Sequence, residues 1–251
     1  MTNENVFSNC VSNYSKGRHG YAPGVIDLLC TKILKKNAKI ADVGSGTGIF
    51  ARELLNRGFD VFCIEPNEKM RLEAEQEFIG NVHFVSIAAS AEDTTLSPNS
   101  IDLITAASAF HWFDTDKFCL ESKRILKPDG ILFTVANARN YTDEFTYHQH
   151  EICKKFCPNF TSLCHGLDKS IPLFEKIFGT DMHQQRFDFP LEYTKERFIN
   201  RSLSSSYAPS PNTKEQREYV QELWDLMNTF APDSDTIIVS NISVVYWGKL
   251  V

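Results

Sequence analysis

Three glycines and two carboxylates carry the most readable chemistry in the chain. Asp42-Val43-Gly44-Ser45-Gly46-Thr47-Gly48 closes one apolar run, and Glu65 follows Gly44 by twenty-one residues at the end of the next. Glycine tolerates positive φ and lets a ligand approach the backbone closely. A helix opening directly behind it offers free N–H groups and positive dipole potential. A carboxylate after the second strand can accept both hydroxyls of a ribose. Together these predict a nucleoside-bearing ligand. The plainer alternative is a tight turn and a surface acid, but strand, glycines, helix, strand and acid occur in the order a binding unit needs. The turn alone does not choose the nucleotide. Gly46-Thr47-Gly48-Ile49-Phe50-Ala51 can be stretched into a dinucleotide fingerprint, although Gly44 already occupies the place directly after the strand. No Tyr is followed four residues later by Lys, and no Walker A lysine follows the glycines.

A second chemical segment is Ala107-Ser108-Ala109-Phe110-His111-Trp112-Phe113-Asp114. It sets a histidine among aromatics where an α/β active site would lie. His111 reads either as a pocket residue that contacts ligand or moves a proton, or as a hydrogen-bonded histidine opening a helix. Trp112 reads as a pocket wall or as core. A third cluster, His148, His150, Cys153, Cys157, Cys164 and His165, invites a zinc reading. Its spacing is neither a finger nor a ribbon, and Cys153 and Cys157 share a helical face with Phe156 and Phe160. It reads as a buried helix face with surface histidines, so no metal is expected.

The elements that must position these residues alternate. AKIADV (38–43), FDVFCIE (59–65), VHFVSI (82–87), SIDLITAA (100–107) and ILFTVAN (131–137) read as buried strands. Helices are expected over 22–34, 47–57, 67–79 and 115–126, with Asn67 as an N-cap and Gly58 and Gly80 as left-handed ends. KPDG before the fifth strand reads as a turn. Repeated strand–helix–strand units imply a parallel sheet covered on both faces, with ligands beyond the carboxyl ends of its strands. The second half is less regular. Residues 141–178 read as helical, 182–193 contains a strand that Pro190 ends, helices are expected near 194–202 and 213–230, and TIIVSNISVVYW (236–247) reads as the last strand.

Composition narrows the classes. The 251 residues are 42% hydrophobic and 23% charged, which excludes a disordered or fibrous chain. The longest stretch without Asp, Glu, Lys or Arg, Phe78–Ala91, is fourteen residues, short of the ~20 a membrane span needs. The N-terminus has no apolar segment of a secretory signal. A net charge of −6 without a basic run disfavours nucleic acid and anionic membrane as partners. Seven cysteines with no signal peptide suggest reduced thiols and a cytoplasmic protein.

DVGSGTG, Glu65-Pro66-Asn67 and RILKPDGILF (124–133), taken in order, resemble a class I S-adenosylmethionine-dependent methyltransferase. The FHWF segment and Tyr14-Ser-Lys-Gly-Arg18-His19-Gly-Tyr21-Ala22-Pro23 are similar to the small-molecule, trans-aconitate methyltransferase-like (methyltransferase type 11) group, with two prolines of the usual N-terminal pattern replaced. The resemblance implies an α/β fold: a Rossmann-like seven-stranded, mostly parallel sheet with an antiparallel last strand, helices on both faces and a helical cover insertion. It implies a single domain over 1–251, its core about 22–140, 180–193 and 234–251 and its cover about 141–179 and 194–232. It implies that Asp42, Gly44, Ser45 and Gly46 face the methionine part of S-adenosylmethionine. Glu65 would hold the ribose and Pro66 and Met70 would lie near the adenine. Ser90, Ala91 and Glu92 would line the adenine edge, with Ser90 standing where many relatives have Asp, and Ala107 would border the site. Tyr14 and Arg18 would close over the cofactor, and His111, Trp112 and Tyr207 would meet the acceptor. The expected reaction is methyl transfer to a small organic acceptor, first a carboxylate, leaving S-adenosylhomocysteine, by a monomer or homodimer. The alternatives are an NAD(P)-dependent reductase and a non-catalytic S-adenosylmethionine-binding protein.

Overall fold

A computed structural model describes residues 19–35, 37–205 and 207–251. Seven strands form one sheet: β1 (Lys39–Val43), β2 (Asp60–Ile64), β3 (Phe84–Ile87), β4 (Ile101–Ala107), β5 (Leu126–Arg139), β6 (His183–Asp188) and β9 (Asn241–Gly248). Their order is β3-β2-β1-β4-β5-β9-β6. The pairs β1–β2, β1–β4, β2–β3 and β4–β5 are parallel, and the last strand runs antiparallel. The strand order reverses between β1 and β4, which makes a crevice at their carboxyl ends the expected ligand position. β1 and β4 are buried almost along their whole length, as strands covered on both faces must be.

Packing divides the chain into two compact units. The first comprises residues up to 136, with 169–187 and 243–251. It holds helices α1 (Pro23–Leu28), α2 (Ile49–Leu55), α3 (Glu68–Glu77), α4 (Thr115–Ile125) and most of α6 (His165–Phe178). Ile40, Val43, Val61, Ile64, Leu103, Ile104 and Phe133 form its buried centre. Asn67 caps α3 by accepting the Met70 N–H at 3.2 Å, as expected. The second unit, 137–168 and 188–242, holds α5 (Glu144–Phe156), α7 (Lys195–Leu203) and α8 (Lys214–Phe230), with a two-stranded sheet. That sheet pairs β7 (Leu191–Thr194) with β8 (Thr236–Val239) antiparallel. Phe145, Tyr193, Phe198, Tyr219, Leu223 and Met227 pack its interior.

Three details differ from the sequence expectations. The α2 helix starts only after Gly48, whose φ of +81° is left-handed, so 47–48 belong to the turn. KPDG is not a turn between elements. It is an excursion inside β5, where Ile101 pairs with Leu126 but Leu103 already pairs with Ile131. Lys127 Nζ closes it by donating to both Asp102 oxygens at 2.8 Å. The segment 236–247 is two strands, not one. Ser240 lies outside both, and Asn241 donates its side-chain N–H back to Val239 O at 2.9 Å, so β8 and β9 join different sheets. An unbroken apolar alternation conceals such a break.

Glu121 on α4 anchors the loop after β3. It accepts the Thr94 N–H at 2.8 Å, the Thr94 hydroxyl, and two Arg124 N–H groups at 2.7 Å. Burial opposes its charge, yet these donors outweigh burial and hold its carboxyl at about 2. A carboxyl held below its unfolded value stabilises the fold above that value and loses the contribution as pH falls. Glu121→Gln is therefore expected to lower stability at pH 7 by about 1–3 kcal/mol. The gap to the parent should close between about pH 4.5 and pH 2, read from urea midpoints. A gap independent of pH would mean that the charge does not carry the anchor.

Candidate functional site

The turn after β1 is fastened from two sides. Gly44 and Ser45 donate their N–H groups to Ile64 O, at 2.9 and 3.2 Å, so the turn rests on the end of β2. Gly44 has φ +68°, and a Cβ there would stand 2.6 Å from Ala109 Cβ and 3.2 Å from the Phe113 ring. The aromatic segment after β4 thus packs directly on the first glycine. Gly46, at φ +58°, meets nothing closer than Met70 Sδ at 3.9 Å. The first glycine is required by conformation and crowding together, the second by conformation alone.

Glu65 bridges the turn and the start of α3. Its Oε2 accepts the Gly46 N–H at 2.9 Å and its Oε1 accepts the Asn67 N–H at 2.8 Å. Burial raises its carboxyl above the usual range, against the pull of those two N–H groups and Arg71. Two of its lone pairs are used, and two remain. Beside it, Pro66 is exposed and Met70 buried.

Asp42 is wholly buried in β1. Its Oδ1 accepts the Thr105 hydroxyl across the β1–β4 ladder at 2.7 Å, and its Oδ2 has no hydrogen-bond partner. Burial first, and the Glu65 charge next, push its carboxyl up to about 7 despite Thr105. A buried, half-unsatisfied carboxylate is costly unless something cationic or hydrogen-bonding meets it.

The remaining residues singled out from sequence fall as follows. Ser90 and Asp93 form an isolated bridge, Ala91 is buried, and Glu92 Oε1 accepts the Asp114 N–H at 2.9 Å. Glu92 thereby ties this turn to the residue that caps α4. Ala107 ends β4. His111 and Trp112 are exposed in a single turn of 3-10 helix, with ring centroids 5.0 Å apart. Tyr207 belongs to the second unit, where its ring lies 5.0 Å from Phe160. Tyr14 and Arg18 lie outside the described residues. Among the described residues no three His, Cys, Asp or Glu side chains are grouped to hold a metal. Burial pushes the Cys153 thiol up to about 12 and Cys164 to about 11, away from the thiolate a metal would need.

Three residues of this region were not legible beforehand. Thr105 is the partner of Asp42. Ser108 holds φ +54°, rare for a residue with a side chain, directly after β4. Tyr21 donates its hydroxyl to Ser108 Oγ at 3.0 Å and packs edge-on to Phe50. A threonine among the apolar residues 103–107 of β4 was the available signal for the first. A groove of about 560 Å³ beside the turn is lined by Thr47, Arg52, Glu53, Glu73 and others, with an Arg52–Glu77 ion pair in its wall. None of the residues expected to contact cofactor or acceptor lines it, although Thr47 belongs to the glycine turn.

Residues 41–134 match the methyltransferase domain family (Methyltransf_11). An uncharacterized methyltransferase of Mycobacterium tuberculosis is 33% identical over 134 residues, 53% of each chain. The chain thus spans about half the length of the mycobacterial relatives it matches. A protein of Anaeromyxobacter dehalogenans assigned as a type II methyltransferase superposes with a TM-score of 0.69 at 18% identity, covering 92% of this chain and 97% of that one. The phosphoethanolamine N-methyltransferase 2 of Haemonchus contortus, solved with S-adenosyl-L-methionine, gives 0.54 at 14% identity over 98% and 58%. The residues of the turn after β1 fit the S-adenosyl-L-methionine of that structure: an unmet Asp42 oxygen suits its cationic amino-acid part, and the open lone pairs of Glu65 suit its ribose.

A carboxyl raised above its unfolded value is most favourable to the fold when protonated, so its cost grows as pH rises. Asp42→Asn is expected to gain stability over the parent between about pH 4 and pH 7, by a few kcal/mol at the upper end. Paired urea titrations across that range measure it, and a constant difference would show that Asp42 does not titrate there.

Proposed function

We propose that the chain transfers a methyl group from S-adenosylmethionine to a small organic acceptor by in-line displacement, with a carboxylate oxygen as the first candidate. The observation that carries this reading is the buried Asp42 carboxylate, one oxygen unmet, beside a glycine turn spanned by Glu65. When bound, S-adenosylmethionine supplies an activated methyl group on a sulfonium. In this reading Asp42 and the Gly44–Gly46 backbone orient the methionine part, and Glu65 accepts the ribose hydroxyls. Pro66 and Met70 flank the adenine, and Ser90, Ala91 and Glu92 line its edge. Trp112 walls the acceptor and excludes water. Aligning acceptor, methyl carbon and sulfur accounts for ~7 kcal/mol or more of the barrier. An ionised carboxylate needs no base; for a neutral hydroxyl or amine, the His111 imidazole takes the proton. In this reading the enzyme works in a reducing cytoplasm, which the free cysteines among the described residues suit.

Thermal unfolding with S-adenosylhomocysteine, and with NADH as comparison, tests the cofactor. At one hundred times its dissociation constant a ligand specific for the folded state adds ~2.7 kcal/mol. A rise with S-adenosylhomocysteine alone is expected, and a rise with NADH alone would replace this reading with a reductase. Glu65→Ala should weaken S-adenosylhomocysteine binding by ~1–3 kcal/mol; unchanged affinity would remove Glu65 from the site. His111→Ala should lower turnover more than stability, whereas a largely unfolded variant would mark His111 as structural.

A further inference from the structure

Two helices of the first unit turn acid toward the same concavity without balancing it. Ile49, Arg52 and Glu53 recur at i, i+3 and i+4 on α2, and Glu73, Gln76 and Glu77 do the same on α3, so each triplet lies on one helix face. These residues, with Thr47 and Gly20, line the groove of about 560 Å³ beside the glycine turn. That volume is the size of a small-molecule pocket.

One of its carboxylates is already paired. Arg52 donates from Nη2 to Glu77 Oε2 at 2.6 Å and from Nε to Glu77 Oε1. Arg71, also on α3, is committed elsewhere: it lies 3.5 Å from Glu75 and donates to the Glu65 carbonyl at 3.2 Å. Among the described residues Glu53 and Glu73 have no ion pair and no side-chain hydrogen bond. Glu53 is exposed and Glu73 half-buried. Two carboxylates in excess thus border one groove, and a groove lined by one sign of charge concentrates the opposite sign. Thr47 gives an independent sign of a ligand. It is 4% exposed, it borders the groove, and its Oγ1 is buried with no hydrogen-bond partner. An unmet buried hydroxyl is costly, and an N–H from a ligand would satisfy it.

The arrangement of the acid decides which cation fits. Among the described residues no three His, Cys, Asp or Glu side chains are grouped to hold a metal ion. Glu53 and Glu73 stand on different helices, and Ile49 adds an apolar stretch of wall. Carboxylates spread along a wall suit a cation whose charges are spread along a chain. An ammonium group has three N–H donors and no acceptor, which matches carboxylates and the Thr47 oxygen.

We propose that the groove binds an aliphatic molecule with two or more ammonium groups, held at Glu53 and Glu73, with the Thr47 hydroxyl accepting a further N–H. The site stands whether or not the chain transfers methyl groups.

Thermal unfolding of the full chain at constant ionic strength tests it, with putrescine and spermidine as probes and butylamine and magnesium chloride as comparisons. The parent should show a saturable rise in melting temperature with putrescine or spermidine, at concentrations where butylamine and magnesium give none. Glu53→Gln and Glu73→Gln should each need roughly fivefold more probe for the same rise, and the double variant should lose it. Glu175→Gln removes one carboxylate outside the groove and should respond as the parent does. Thr47→Val keeps the shape and drops the unmet hydroxyl. Without probe it should be at least as stable as the parent, yet it should bind the probe more weakly; parent-like binding would overturn the role given to that hydroxyl. Should Thr47→Val fail to fold, the two glutamate variants decide, since neither side chain has a partner to lose. An equal rise in the parent and in every variant would be a general ionic effect and would overturn the proposal. So would an equal rise with butylamine or magnesium, or no rise with either probe.

Discussion

The Glu65 carboxylate joins what would otherwise be three independent pieces. It stands at the end of β2, takes the Gly46 N–H from the turn after β1, and takes the Asn67 N–H where α3 begins. The glycine turn also leans on Ile64 O and packs under Ala109 and Phe113, so the segment after β4 is positioned through the same turn. Removing that carboxylate would leave two backbone donors unmet in a mostly buried place, which costs more than the hydrogen bonds alone. The geometry beyond three strands therefore depends on this side chain together with the backbone bonds to Ile64. Asp42 then sits underneath, buried and half satisfied.

This frame was legible in the sequence because its signals are local. The glycines and Glu65 follow one another within twenty-odd residues, and the strands show as apolar runs separated by helical spacing. Asn67 announced its cap by residue type and position. What escaped depends on register between distant segments. Thr105 and Asp42 are sixty-three residues apart and meet only because β1 and β4 pair as they do. Glu92 finds the Asp114 N–H through the same kind of juxtaposition. The left-handed Ser108 carries no compositional mark, since glycine or asparagine would be the ordinary signal for such a conformation.

In the second half the difficulty was of another kind. Its segments were recognised as helical or extended, but their partners were not. Residues 236–247 look like one strand because apolar alternation continues through Ser240, and only hydrogen bonding separates β8 from β9. The Cys153, Cys157 and Cys164 thiols are buried among aromatic side chains, where they act as small apolar groups. Arg139 gave no signal at all. An isolated arginine in a sequence reads as surface, and its partial burial follows from the end of a long strand.

The chain passes between its two compact units four times, at 136/137, 168/169, 187/188 and 242/243. Each passage falls inside β5, α6, β6 or β9. Neither unit is therefore a continuous piece of sequence that could be cut out at linkers, since the second consists of two separated stretches and the first of three. Exchange of the second unit between relatives by recombination would need two matched replacements made together. Point substitution is the simpler route by which it can diverge. The family match at 41–134 lies wholly within the one long uninterrupted stretch of the first unit.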